Sequence, residues 1–330
     1  MPKKQLVLDA FHNKPVERIP FGFWFHFAQE HEFTKGLEDP AIIQKNIAGH
    51  KKFFKDFNPD FVKLMSDGFF EYPNPILIHA KSAAELKQLK PIGPDHPWII
   101  EQVKLVKELT DAFGSEVLTF YNIFAPATFF KLLFGDDGNK ILADFIVEDK
   151  EAVTHALNVI AEDLATLSKK VITEGKADGI YLSVQNVQDL RITPEIYKEV
   201  VAPGELNVLA VANEVSENNI LHICGYEGSR NDISLYVDYD AKVINWAVTI
   251  ENISLKEGKE LFGGKAVIGG FDNRATGLLY SGSKAEIENF TEQLLNQAGK
   301  TGIILGADCT VPGDIEPERL DWARSKAARL

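Results

Sequence analysis

The stretch "EDKEAVTHALNVIAEDLATLSKKVITEGKADGIYLSV", residues 148–184, changes period partway along. Its first part, to Gly175, carries apolar residues at helical spacing, and "ADGIYLSV" (177–184) is a short apolar run of the kind that forms a buried strand. Seven further runs of that kind stand along the chain: "RIPFGFWF" (18–25), "PDFVKLMS" (59–66), "EVLTFYNI" (116–123), "NNILHIC" (218–224), "AKVINWAV" (241–248), "KAVIGGF" (265–271) and "GIILGAD" (302–308). Helical patterns lie between several of them, "DPAIIQKNIAGHKKFFKDF" after the first and "PWIIEQVKLVKELTDAF" after the second. Eight strand runs, most of them followed by helices, predict a closed (β/α)8 TIM barrel. The expected domain is a single barrel over residues 1–330 with an N-terminal extension, and an open doubly wound sheet is the main rival arrangement.

Helix starts in the second half are marked by their caps. Thr193 followed by Pro194 and Glu195 opens one helix, which Pro203 and Gly204 are expected to divide in two. Ser283 with Glu286 forms a capping box, and Pro317 stands near the start of the last helix.

Composition excludes several classes. With 35 basic and 48 acidic residues the formal charge is -13, and no dense Lys/Arg cluster offers a phosphate-binding patch, so nucleic acid is not an expected partner. The nearest approach, "KNIAGHKKFFKDF", spaces its apolar residues as a solvated helix does. The charged N-terminus lacks a secretory core and no segment approaches 18 uncharged apolar residues, which points to a cytoplasmic protein without a membrane span. Two cysteines are too few for a disulfide scaffold but enough for one bridge or one metal site.

In a barrel the strand ends share one mouth, so His222 and Cys224 at the end of the fifth run can meet Cys309 beyond the eighth. Residues two apart on a strand face the same way, and one imidazole with two thiolates is a donor set that favours zinc. No fourth Cys or His is evident near these segments. Three ligands with one open position make a zinc ion catalytic, while a carboxylate closing the site would leave it structural. The plainer reading is two small buried thiols and a hydrogen-bonded core histidine.

At these residues the chain resembles the uroporphyrinogen decarboxylase superfamily, and more closely its zinc-dependent branch, the cobamide:thiol methyltransferases. The branch's motif of His, any residue, Cys and a distant Cys reads here as His222, Ile223, Cys224, 84 intervening residues and Cys309. The resemblance implies a (β/α)8 barrel, a zinc cofactor, a methylated corrinoid as substrate or on a carrier protein, and a small thiol as acceptor. The decarboxylase proper carries an arginine-rich signature behind its first strand, where this chain has "RIPFGFWFHFAQEHEF" with His26 and His31. Arg18 does not restore it. The family's catalytic aspartate follows the second strand, where Asp67 stands. It would stabilise a protonated pyrrole in a decarboxylase, or lie near substrate or corrinoid in a methyltransferase, and the plainer reading is a turn cap beside Gly68.

Other mouth candidates are Asn122, as a donor to a bound group, and the cluster Ser183, Gln185, Asn186 and Asp189. Gly269 and Gly270 followed by Asp272, Asn273 and Arg274 suggest a close ligand or anion contact, with Arg274 the better anion candidate. Asp67, Asn122 and Asp272 are thus the catalytic candidates, and Gln185, Asn186, Asn273 and Arg274 the cofactor-binding ones. The leading functional expectation is methyl transfer between a corrinoid, free or protein-bound, and a thiol. Uroporphyrinogen decarboxylation and a non-catalytic corrinoid- or tetrapyrrole-binding barrel are the alternatives.

Overall fold

A computed structural model describes residues 1–225 and 228–330. Seven of the eight runs form strands: β1 (Phe61–Leu64), β2 (Leu118–Phe124), β3 (Gly179–Val184), β4 (Ile220–Ile223), β5 (Val243–Trp246), β6 (Ala266–Phe271) and β7 (Ile303–Ala307). They pair in sequence order, all parallel, each joined to the next through a crossover that contains α-helix, except that from β4 to β5, where the described residues hold the 3₁₀ turn Ile233–Tyr236 and no α-helix. Every strand residue except Phe124 is buried. A parallel sheet packed on both faces needs such unbroken apolar runs.

The sheet is an open seven-stranded half-barrel, which corrects the expected closed eight-stranded barrel. The run 18–25 lies between the edge strands but forms no strand. Phe21 makes one isolated bridge to Leu305, where Leu305 N donates to Pro20 O at 2.9 Å and Gly22 N to Leu305 O at 3.0 Å. Toward β1 there is one backbone bond, from Asp60 N to Phe21 O at 3.0 Å. The reason is local. Pro20 has no N–H to give, Phe21 N donates to the Asp60 carboxylate, and Phe27 N and Ala28 N donate to the Asp67 carboxylate. Carboxylates thus take donors that a ladder would use. Arg18, which reads as a strand-start cation, is bidentate on Asp60 at 2.7 and 2.6 Å.

The strands have two interior faces. The outer one packs on the crossover helices, among them Pro40–Phe57, Pro97–Phe113 and Lys150–Thr173 at the positions their periodicity indicates. The inner face holds Phe61, Met65, Leu118, Phe120, Tyr181, Ile220, Val243, Ile268 and Ile304, together with Trp24. Helix Lys3–Phe11 closes this concavity at the amino ends of the strands through Val7, Ala10 and Phe11. Because side chains alternate, the same inner rows continue toward the carboxyl ends as Lys63, Asn122, Ser183, His222 and Asn245. The interior is therefore apolar at one end and polar at the other, and the polar end is where β–α loops emerge.

Thr193 caps its helix, and Ser283 forms its box with Glu286. Pro203 and Gly204 do not divide their helix. The chain absorbs the missing N–H in a π-turn over Tyr197–Val201 and continues as Ala202–Asn213. No helix among the described residues is long and apolar enough to cross a membrane.

Candidate metal centre

His222 ends its inner row on β4, in register with Ser183 on β3 and Asn245 on β5. Cys224 follows β4 by one residue and extends its ladder, with Cys224 N donating to Val184 O at 2.8 Å. Cys309 follows β7 by two, after Asp308 N has bonded to Phe271 O at 2.8 Å. Backbone pairing on both sides thus fixes where the two sulfurs stand.

The donor atoms of His222, Cys224 and Cys309 all lie within 4.8 Å of one another. The two sulfurs are 3.9 Å apart and Cys309 Sγ is 3.6 Å from His222 Nε2. A tetrahedral ion with metal–sulfur bonds of about 2.3 Å and a metal–nitrogen bond of about 2.0 Å places two sulfurs about 3.8 Å apart, and sulfur and nitrogen about 3.5 Å apart. The donor set suits a zinc ion, and both spacings that involve Cys309 match it, with the third pair within 4.8 Å.

Asn245 sets the tautomer of His222. Its amide Nδ2 donates to Ile268 O at 2.9 Å and, at a longer 3.4 Å, to Ala307 O, which turns Oδ1 toward His222 Nδ1. Nδ1 must then carry the proton, leaving the Nε2 lone pair on the side of the sulfurs. The Cys309 thiol is held well below its ordinary range by the neighbouring Cys224 sulfur, against the effect of burial, with further help from His222 and Lys63.

Beneath the imidazole lie Tyr181 and Trp24, their rings 5.9 and 6.5 Å from it. The two rings pack on each other at 5.4 Å and Lys63 lies over both, its Nζ 4.2 Å from the Tyr181 centroid and 5.0 Å from that of Trp24. Burial pushes the Lys63 ammonium down to about 8, while Cys309, Cys224 and Asp67 pull the other way in that order. Lys63 and Asn245 escape a motif reading. Their one signal is a lone polar side chain inside an otherwise apolar strand run.

The remaining candidates each have protein partners of their own. Asp67 is fully buried and uses both oxygens, one on His26 Nδ1 at 2.8 Å and the other on Phe27 N and Ala28 N at 2.7 and 3.1 Å. Its tie leaves His26 half-exposed beside Phe33 and Phe70. Asn122 donates to Ser66 Oγ at 3.0 Å and accepts from Ser183 Oγ at 3.4 Å. Gln185 Oε1 and Asn186 O accept from Lys131 at 2.5 and 3.0 Å, and Asn186 also receives Tyr236 OH at 3.0 Å. Asp189 pairs with Arg191. Asp272 and Arg274 pair with each other, and Asn273 donates to Thr310 O at 2.9 Å. Gly269 and Gly270 have φ of +141° and +112°, and a Cβ on Gly270 would stand 2.5 Å from Leu294. Backbone geometry and packing thus account for Gly270 without a ligand.

The structure of a methyltransferase from Methanosarcina mazei superposes with a TM-score of 0.69 at 15% identity, covering 100% of this chain and 98% of that one. A B12-independent methionine synthase from Shewanella sp. W3-18-1, in complex with selenomethionine, superposes at 0.54 and 13% identity, covering 94% and 97%. At such identities the likeness is one of fold. No curated protein matches the chain. The sequence profile of uroporphyrinogen decarboxylase (URO-D) matches residues 63–328, most of the chain and all seven strands but the first two residues of β1, and the protein belongs to that family.

Proposed function

We propose that the protein catalyses zinc-dependent methyl transfer between a corrinoid and a small thiol. The observation that carries the reading is the convergence of His222, Cys224 and Cys309, their donor atoms all within 4.8 Å of one another, on the polar end of the sheet. Zinc held there would supply the Lewis acidity to bind a thiol as thiolate near neutral pH, and a corrinoid, free or on a carrier protein, would supply the methyl group. The chain's own part is to hold the donors. Asn245 keeps His222 in the ligating tautomer, and the ladder bond from Cys224 fixes its sulfur at the end of β4. In this reading His26, positioned by Asp67, is the group presented to the mouth, since both Asp67 oxygens are occupied. Asn122 lines the same end from β2. Gln185 and Asn186 lie on the Cys224 side, and Asn273 with the Asp272–Arg274 pair on the β6 side.

Decarboxylation of a polyanionic tetrapyrrole is the poorer fit. Such a substrate calls for free cations, and Arg18 and Arg274 are each committed to an aspartate. The test is zinc per chain in wild type and Cys224→Ala, followed by methylcobalamin-to-thiol transfer on the loaded protein. About one zinc per wild-type chain, lost in the variant, with turnover that needs it, is the expected result. A wild-type protein that takes up no zinc under reducing conditions refutes the proposal.

A further inference from the structure

Lys63 is 3% exposed, and among the described residues its ammonium makes no hydrogen bond to an oxygen acceptor. Its neighbours are two ring faces, Trp24 and Tyr181. Both rings carry a buried polar atom, Trp24 Nε1 and Tyr181 OH, that has no partner among the described residues either. A buried ammonium without a counter-ion is among the costlier arrangements in a protein, and ring faces offset only part of that cost. The negative groups that act on it are, in order of strength, Cys309, Cys224 and Asp67, and the Asp67 oxygens are already held by His26 and two backbone amides. Both rings that receive it also border the His222 imidazole, at 6.5 and 5.9 Å, so the ammonium shares the polar end of the interior with the three candidate ligands.

A charge count says what it does there. Two thiolates and a neutral imidazole balance a divalent ion, so the site with three protein ligands is neutral and has no need of a lysine. A further thiolate leaves one negative charge in excess, and one ammonium restores balance. We propose that Lys63 is a positioning residue whose charge answers that of the incoming acceptor, so that the acceptor is taken up as a thiolate with its S–H proton released to solvent. The inference rests on the methyl-transfer reading and deepens it, since it assigns to a residue outside the motif the preference for anionic over neutral ligands.

The test uses the cobalt(II)-substituted protein, in which ligand binding is read from the absorption spectrum without turnover. Wild type and Lys63→Met are titrated with 2-mercaptoethanol, which binds as an anion, and with imidazole, which binds neutral. The variant is expected to bind one cobalt per chain, to bind 2-mercaptoethanol about tenfold more weakly or worse, and to bind imidazole within about twofold of wild type. Metal-free Lys63→Met is expected to keep a single cooperative unfolding transition, since Met retains most of the stem that packs on Trp24 and Tyr181. Equal affinity for the thiol, or equal weakening of both ligands, overturns the inference and leaves the zinc reading standing. A variant that does not fold assigns Lys63 to packing with Trp24 and Tyr181 and also overturns it. A wild type that binds neither zinc nor cobalt overturns both.

Discussion

Replacing Asn245 by Ala should weaken metal binding without touching a ligand. The side chain is fully buried and its amide satisfies three groups, His222 Nδ1–H and the carbonyls of Ile268 and Ala307. Truncation leaves His222 free to exchange tautomers and to rotate, and loss of such an outer partner costs metal affinity about 10- to 100-fold, or about 1.4–2.7 kcal/mol. It also orphans a buried donor, at about 1–3 kcal/mol of stability, with little added from Ala307 because that contact is long. Competition with a chromophoric zinc chelator measures the first effect, and denaturant unfolding of the metal-free protein the second. Asn245→Asp separates the two. Its carboxylate still accepts from His222, so affinity should fall less than in Asn245→Ala, but it faces two carbonyl oxygens, so stability should fall more. Zinc affinity unchanged within about twofold in Asn245→Ala, alongside the loss of stability, would refute the assignment of His222 as a ligand oriented by Asn245.

Two further outcomes are expected. Burial raises the Glu205 carboxyl to about 7 against hydrogen bonds from Tyr239 and Tyr197, so the folded state holds a proton that the unfolded chain has released. Stability from this group is therefore present below the unfolded value of about 4.3 and is lost as pH rises through about 7. Unfolding curves of Glu205→Gln measured from pH 4.5 to 7 should be flatter than those of wild type, and parallel curves would contradict this. Ser283→Ala removes one half of a capping box on an exposed helix start and should cost about 1 kcal/mol in denaturant unfolding, with zinc binding unchanged.

Most of the strands and the His222–Cys224 pair were legible in the sequence because each depends on nearby residues. Seven apolar runs read as strands since a parallel sheet buries both faces, and His222 with Cys224 reads as a pair since the strand period brings them together. The run 18–25 looks the same by composition and fails for a reason no period records: Pro20 has no amide hydrogen, and Asp60, about forty residues away, takes the Phe21 amide, as Asp67 takes those of Phe27 and Ala28 just beyond the run. Distance in sequence also hides Lys63 and Asn245, whose meaning depends on register across β1, β4 and β5. Asp272 and Arg274 were readable as polar and adjacent, but not as a pair that neutralises itself. Pro203 signals a break, and the π-turn before it shows how a helix can tolerate the missing N–H without ending.

The openness of the sheet has a mechanical consequence. Between β7 and β1 there is one bridge instead of a ladder, so hydrogen bonding across that seam does little to keep the curved sheet from relaxing toward a flatter one. Cys224 stands at the end of β4 and Cys309 at the end of β7, with β5 and β6 between them. An ion gripping both sulfurs spans that arc as a chord spans a bow. It would set the curvature of four strands at once, and with it the width of the opening through which any second molecule must reach the sulfurs.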